Sequence, residues 1–548
     1  MRFGKVFGLF FFIQSIVLCA IAPCAMANTL FVGSEYRTIN EAVDDASYGD
    51  VICVARGTYK ETIVMKEGLT LLGEGRLSTT IDAEADAIAI KANSGCRIAG
   101  FSIVEGIIGI DCIGAGVVIE DNYIQSRYVG IRSQDTSPEI FNNTIEAVYM
   151  CVVTKGSGTP HIYNNKITGR YVGIWAEYTS PLVHNNKIAD FEHGVYMIGS
   201  NAELYSNKVL NSLYDGVVIT SGSNCTVRHN AIVGHYERGV SIFDSSPVIE
   251  YNIISDNLTG VFSHAATPTL SHNCVGSNRE ADYDGISPGS GDIQSDPLMV
   301  GTGFVSSIGG TDYDTLYCTG AQWKTNSLVG LDLVPNTSGM YMIYGGQFRT
   351  FEVLSNTRTS ITVAVDTTEA APKTLYKCGS TEDYTEPGDR FFVDDVNLQS
   401  TSSDWPANSP CWTDNIGIYG GEYAGDAGPM KAPLVMLESD EQIYDTDETV
   451  AITAVLTNNQ PEAITVDLHI IAFIEGSPTF FSYPNWVPGF NPVSYFLGAN
   501  DIETIDVLEI IGEAIPQANY KMLAAFTNSG TFEIISPISE LWFRVSND

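Results

Sequence analysis

Basic residues are scarce in this chain: 28 Lys and Arg stand against 65 Asp and Glu, a formal charge of −37. Nucleic acid needs clustered cations, so that partner class is excluded. A polyanion would be repelled unless a cation bridged it, whereas a neutral glycan needs no such help. Long apolar runs are missing beyond the first 27 residues, and no later stretch holds the ~18 apolar residues of a membrane span. Met1–Ala27 carries Arg2 and Lys5, an apolar centre and a closing Ala25-Met26-Ala27. It reads as a secretory signal peptide. The mature chain is therefore expected to be a secreted monomer without a membrane span, either extracellular, periplasmic or held at the cell surface. CxxC spacing is missing too. Nine cysteines follow the signal, an odd number, which is neither a disulfide framework nor a zinc site. Cys318 and Cys378 flank one segment and are the candidate pair.

What the middle of the chain lacks is a helical period; what it has is a repeat. Asn122, Asn143, Asn165, Asn186, Asn207, Asn230, Asn252 and Asn273 are each followed two residues later by an apolar residue, at steps of 21 to 23. Gly130, Gly173, Gly194, Gly216, Gly239 and Gly260 come eight or nine residues after an Asn, with Ile or Val behind them. Short β-branched runs and turns at a fixed period predict an all-β solenoid, one coil per repeat. At ~4.8 Å per coil, eight coils span on the order of 38 Å. The Asn column is expected to be structural, its amides bonding along the axis.

The segment NNKITGRYVGIWAEYTSPLVHNNKI and its neighbours resemble the right-handed parallel β-helix repeats of the pectin-lyase-like superfamily. That group includes polysaccharide lyases, glycoside hydrolases, alginate epimerases and periplasmic carbohydrate-binding or copper-delivery accessory proteins. The resemblance covers roughly residues 30 to 300 and implies the fold. It does not fix a reaction, because function lives in sites grafted on the scaffold.

In chain order, Tyr36–Ala46 is expected to be a capping helix, with Ile39, Ala42, Val43 and Ala46 on one face and Thr38 and Glu41 at capping-box spacing. The β-helix is assigned to 28–304. A small inserted β module (305–385) is expected to project from one end, followed by a terminal coil and linker (386–430). Longer alternating strands over 431–548 predict a β-sandwich of roughly immunoglobulin type.

Aligning the repeats turns sequence into columns. One position before the repeat Gly, adjacent coils place His193, Asp215 and Arg238, beside Glu192 and Glu237. Column neighbours lie about 5 Å apart, close enough to shift one another's proton affinity. By resemblance to the superfamily's lyases, Glu192, Asp215 and Glu237 would hold Ca²⁺ and Arg238 would be the base. Its hydrolases use carboxylates as acid and base instead. The alternative is a salt-bridged ladder with Asp215 between His193 and Arg238. Two positions after the Gly, Trp175 and Tyr196 are expected to point outward as platforms for sugar rings, with Tyr171 and Tyr214 in a nearby tyrosine column. The histidines fall in different columns and predict no metal face. Two functions remain: a non-catalytic binder of polysaccharide or cell-surface glycan, or an enzyme, more readily a lyase than a hydrolase. The even repeat lengths leave little material for groove walls, which favours the binder.

Overall fold

In the computed structural model, residues 28–299 are described almost continuously, with 77 and 84–86 excepted. Parts of 301–393, residues 409 and 411, and strands between 434 and 546 are described as well. The signal-peptide reading lies outside the described residues. From Thr29 to Asp284 the chain winds as a parallel solenoid of three sheets with twelve, eleven and eleven strands. One coil runs through Val118–Glu120 in the first sheet, Tyr123–Ser126 in the second and Val129–Gln134 in the third. Each strand pairs in parallel with its counterpart one repeat later, as Ile124 does with Ile145 and Ile131 with Val152. Alternate side chains of each strand point inward, one or two per strand, so Ile, Val and Leu stack into a continuous core with almost no exposure.

The corner between the first and second sheets explains the asparagines. All eight are buried. Oδ1 of Asn186 accepts the backbone N–H of Asn165 at 3.0 Å, and its Nδ2 reaches the carbonyls of Ile162 and His184 at 2.9 Å and Oδ1 of Asn207 at 3.0 Å. Every coil hands on the same bonds, which satisfies backbone groups that the corner leaves unpaired. The residue before each Asn is left-handed, from Asp121 (φ 53°) to His272 (φ 54°). The repeat glycines mark a close approach: a Cβ on Gly173 would stand 2.6 Å from the carbonyl oxygen of Gly194.

A second polar series at the next corner was not evident in the repeats. The N–H of Ser212 donates to Nδ1 of His235 at 2.9 Å, that of His235 to Oδ1 of Asn257 at 2.9 Å, and that of Asn257 to Oδ1 of Asn278 at 3.1 Å. Because Nδ1 of His235 accepts, Nε2 carries the proton and faces the carbonyl of Val209 at 3.0 Å. Burial lowers the pKa of this ring to about 3. The unfolded ring titrates near 6.5 and the folded ring far below, so the unfolded state binds more protons between these values. Stability is therefore present above pH ~6.5 and is lost as pH falls toward 3, about 2 kcal/mol between pH 7 and 5. His235→Asn keeps an acceptor for Ser212, as Asn257 and Asn278 do. The expected result is a lower stability at pH 7 from the lost ring, with a flatter acid limb in denaturant titrations. An acid limb as steep as in the parent would refute this account.

The first coil is covered by a helix, Ile39–Asp45. Thr38 caps it as expected, accepting from the N–H of Glu41 at 3.1 Å, while Glu41 turns back to the N–H of Arg37 at 3.0 Å. Glu61, from the neighbouring coil, takes the N–H groups of Ile39 and Asn40. Ile39, Ala42, Val43 and Ala46 are buried.

After the solenoid comes a seven-stranded antiparallel sheet, from Thr302–Phe304 to Arg390–Val393. It does not project from one end. It lies along the second sheet, where Phe392 and Cys411 join Ala189, Leu210, Ala231, Val233, Ile253, Cys274 and Met299 in one buried cluster. The reason is the second sheet's own surface, which turns apolar there and needs a cover. Lys187 bonds to Asp332 at 2.8 Å. Arg390 is clamped between Asp256, whose side chain has no exposure, and Asp296 at 2.7 Å. The stretch expected to resume the coil contributes Arg390–Val393 to this sheet instead, pairing antiparallel with Thr302–Phe304 and Asp332–Val334. Cys318 is a buried free thiol; Cys378 lies outside the described residues.

From Leu434 to Ser546 two further sheets of long strands share a core that includes Val450, Ile452, Leu456, Leu468, Ile470, Met522 and Phe526. Their pairing is antiparallel apart from Ile443–Asp445 with Ser539–Ser546. This is the expected β-sandwich.

Candidate functional site

The third sheet carries the candidate residues, because its strands are the longest of the coil and alternate across its surface. In register, Asp111, Arg132, Val153, Trp175, Tyr196, Val218, Ser241, Phe262 and Asp284 form one outward column. Trp175 and Tyr196 stack at 5.0 Å with 14° between their planes. Their faces are thus turned to each other, and edges and polar tips point away from the sheet. Nε1 of Trp175 donates to Glu177 at 3.1 Å, Lys155 pairs with Glu177 at 2.8 Å, and the Lys155 ammonium stands 6.0 Å above the Trp175 ring.

At the corner preceding this sheet, Tyr128 stacks on Tyr149 at 4.6 Å, and Tyr149 leans on Tyr171 at 4.9 Å, with the Arg170 guanidinium 5.3 Å from the Tyr171 ring. His193 and Tyr214 extend the series at 5.4 Å. Tyr128, Tyr149 and Tyr214 are 46%, 37% and 38% exposed, which makes this a solvent-facing ladder rather than core.

The charged column forms in part. Nδ1 of His193 lies 3.8 Å from Asp215, and Arg238 lies 3.9 Å from Asp215 on the other side. Burial raises the Asp215 carboxyl to about 6 against the pull of Arg238, and burial lowers His193 to about 4. Oδ1 of Asp215 and Nδ1 of His193 are buried without a hydrogen-bond partner among the described residues. Arg238 lies over Phe262 at 4.1 Å. Glu192 sits apart near Arg170, its carboxyl raised by burial. Among the described residues no three His, Cys, Asp or Glu side chains stand close enough to share a metal ion, so Glu192, Asp215 and Glu237 are not gathered as a ligand set.

Column reasoning missed one contact. His161 and His184 occupy different columns of the first sheet, yet their Nε2 atoms lie 2.6 Å apart, one donating to the other. His184 is packed flat between Tyr163 (5.1 Å) and Tyr205 (4.7 Å), with Arg228 beyond. Burial lowers both imidazoles, His184 to about 4. The signal was present as a diagonal, one coil on and two residues further along the strand. The series of His229, Tyr251 and His272 at 5.1 and 4.9 Å is, by contrast, a single left-handed column.

Comparison with known proteins agrees with this architecture. Residues 151–294 match the family model described as "Right handed beta helix region", and residues 43–215 match "Periplasmic copper-binding protein (NosD)". A curated "Cell surface glycoprotein" of Methanothermus fervidus is 35% identical over 118 residues, 21% of this chain and 20% of that protein. The chain thus spans about a fifth of that relative's length. Among solved structures, an alginate lyase from Paenibacillus is similar over 44% of this chain and 97% of its own, at 14% identity and a TM-score of 0.35. The periplasmic alginate epimerase AlgG is similar over 50% and 85%, at 13% identity and 0.32. The chain thus carries a parallel β-helix, and residues 151–294 of it match the right-handed β-helix family model.

Proposed function

We propose that this is a secreted β-helix protein, extracellular, periplasmic or at the cell surface, that binds an elongated polysaccharide along its third sheet without turning it over. The observation that carries the reading is the ladder of exposed Tyr128 and Tyr149 and half-buried Tyr171 running beside the Trp175–Tyr196 stack. Rings stacked on one another offer a row of hydroxyl edges at the ~4.8 Å coil spacing. A polymer lying along the axis would meet such a row unit by unit. Tyr and Trp suit this because each joins an apolar body to a polar tip. Lys155, Glu177 and Arg170 form a charged rim. The chain's acidity favours a neutral glycan, or a uronate bridged by an ion such as Ca²⁺. The partial likeness to a cell-surface glycoprotein supports the location.

The test is retention in gels that contain single polysaccharides. The parent is expected to be retarded by at least one glycan. Tyr149→Ala and Trp175→Ala should each weaken retardation, by up to about tenfold per ring. A folded parent that no glycan retards, or variants as retarded as the parent, would remove this reading.

One observation favours an enzyme as the second reading. Asp215, perturbed and half-satisfied between His193 and Arg238, has the character of an acid–base site. As a lyase, Arg238 would take the proton while Asp215 holds it in place; as a hydrolase, Asp215 would be the acid. Ultraviolet absorbance of an unsaturated uronate, released by the parent and lost in Arg238→Ala, would establish it.

A further inference from the structure

Most of the buried thiols along the solenoid occupy inward or corner positions, where cysteine serves as a small apolar side chain. Cys274 and Cys411 differ, because they meet where the solenoid is covered by a later part of the chain. Cys274 opens the last strand of the second sheet, Cys274–Gly276, in register with Ile253. Its thiol faces outward into the cluster that holds Phe392 and Met299. Cys411 enters the same cluster from 137 residues later in the chain. Both are wholly buried.

The approach of Cys411 is fixed by named bonds. The hydroxyl of Ser409 donates to the carbonyl of Pro297 at 2.5 Å, and the N–H of Cys411 donates to that same hydroxyl at 3.1 Å. Cys274 bonds to the carbonyl of Ser295 at 3.6 Å, so both cysteines are anchored on one short stretch, 295–297. Their side chains enter the same buried cluster.

We propose that Cys274 and Cys411 are the two halves of a disulfide that closes the antiparallel sheet against the second sheet of the solenoid. Each thiol gives up its proton, and together they give up two electrons. The acceptor is a second disulfide, a small molecule or a thiol oxidoreductase, which leaves as two thiols. Because both sulfurs are buried once the cover is seated, the exchange takes place while the chain folds. The inference rests on the extracytoplasmic reading for its occurrence in the cell, but the pairing itself follows from the packing. Linking residues 137 apart would restrict the unfolded chain strongly, and it would fasten the cover where Arg390 and Lys187 already hold it.

The experiment takes the full mature chain, reduced in denaturant and refolded with or without oxidised glutathione, then alkylated under denaturing conditions and digested without reductant. With the oxidant, a peptide joining Cys274 to Cys411 is expected, both sulfurs protected from the alkylating agent. The thermal midpoint should stand several degrees above that of the reduced chain, a gain absent from the folded Cys274→Ala/Cys411→Ala double variant. In Cys411→Ala alone, Cys274 should become alkylated. Alkylation of both cysteines in the oxidant-refolded parent, or linkage of either to another cysteine, would overturn the proposal. Linkage after refolding together with free thiols in chain isolated unreduced from its own cells would uphold the pairing and overturn the extracytoplasmic reading.

Discussion

Asn186→Ala is expected to cost on the order of 5 kcal/mol, far more than an ordinary surface substitution. The side chain removed is small, but the groups left behind are many. Oδ1 serves the N–H of Asn165 at 3.0 Å and the Nδ2 of Asn165 at 3.0 Å; Nδ2 serves the carbonyls of Ile162 and His184 and the amide of Asn207. All of them lie where water does not reach, and each buried polar group left unpaired costs about 1–3 kcal/mol. Relaxation of the corner will recover part of this. Equilibrium denaturation should show a lower midpoint, and hydrogen exchange should show the loss centred on the coils that carry Asn165 and Asn207. A loss below about 1 kcal/mol would mean that the ladder is decoration on a fold held by its apolar core.

The second large effect belongs to Arg390. In Arg390→Met the apolar stem is kept and the guanidinium removed, which strands Asp256, with no side-chain exposure, and weakens the hold on Asp296. Removing one partner of a buried pair typically costs about 3–5 kcal/mol. Burial already raises the Asp256 carboxyl despite Arg390, whereas Asp296, which burial also raises, ends below its usual range because Arg390 outweighs it. Without the cation, Asp256 will rise further and escape by taking up a proton. The sign follows from linkage: the folded carboxyl then binds a proton more tightly than the unfolded one, so the variant loses stability as pH rises and regains it in acid. Denaturant midpoints at about pH 5 and pH 7.5 should therefore diverge more for the variant than for the parent. Hydrogen exchange should quicken around Phe391 and Phe392 and leave the coils from Asn122 to Asn165 unchanged. Equal losses at both pH values would show that Asp256 was never relying on that charge.

The solenoid was legible because its information is local and repeated. One Asn per turn, inward apolar residues at fixed places in each strand and a Gly at the close approach recur, and any one coil predicts the next. What escaped prediction depends on contacts between different columns or different parts of the chain. The His161–His184 contact runs diagonally, and column alignment hides diagonals. Arg390 meets Asp256 and Asp296 from 134 and 94 residues away. The position of the antiparallel sheet could have been found, however. Along the second sheet the outward column reads Gln125, Glu146, Thr168, then Ala189, Leu210 and Val233. Polar residues give way to apolar ones at the coil where the cover begins, and that change is visible in the sequence once the register is known. The charged column was half legible: spacing brought His193, Asp215 and Arg238 together, but it could not show that Glu192 would keep company with Arg170.

The left-handed residue before every ladder Asn gives the chain a uniform joint, with φ between 53° and 58° from Asp121 to His272. A length of chain cut between two such joints begins and ends in the same conformation, offering the same donors below and the same acceptors above. Coils near Asn122 and Asn143, clear of the antiparallel cover, are in this sense interchangeable parts: one could be excised or doubled whole and the helix would close over the seam. From Ala189 onward that freedom ends, since each turn there is matched to a surface that does not repeat. The molecule thus joins a stretch whose length is adjustable to one whose length is set by its lid.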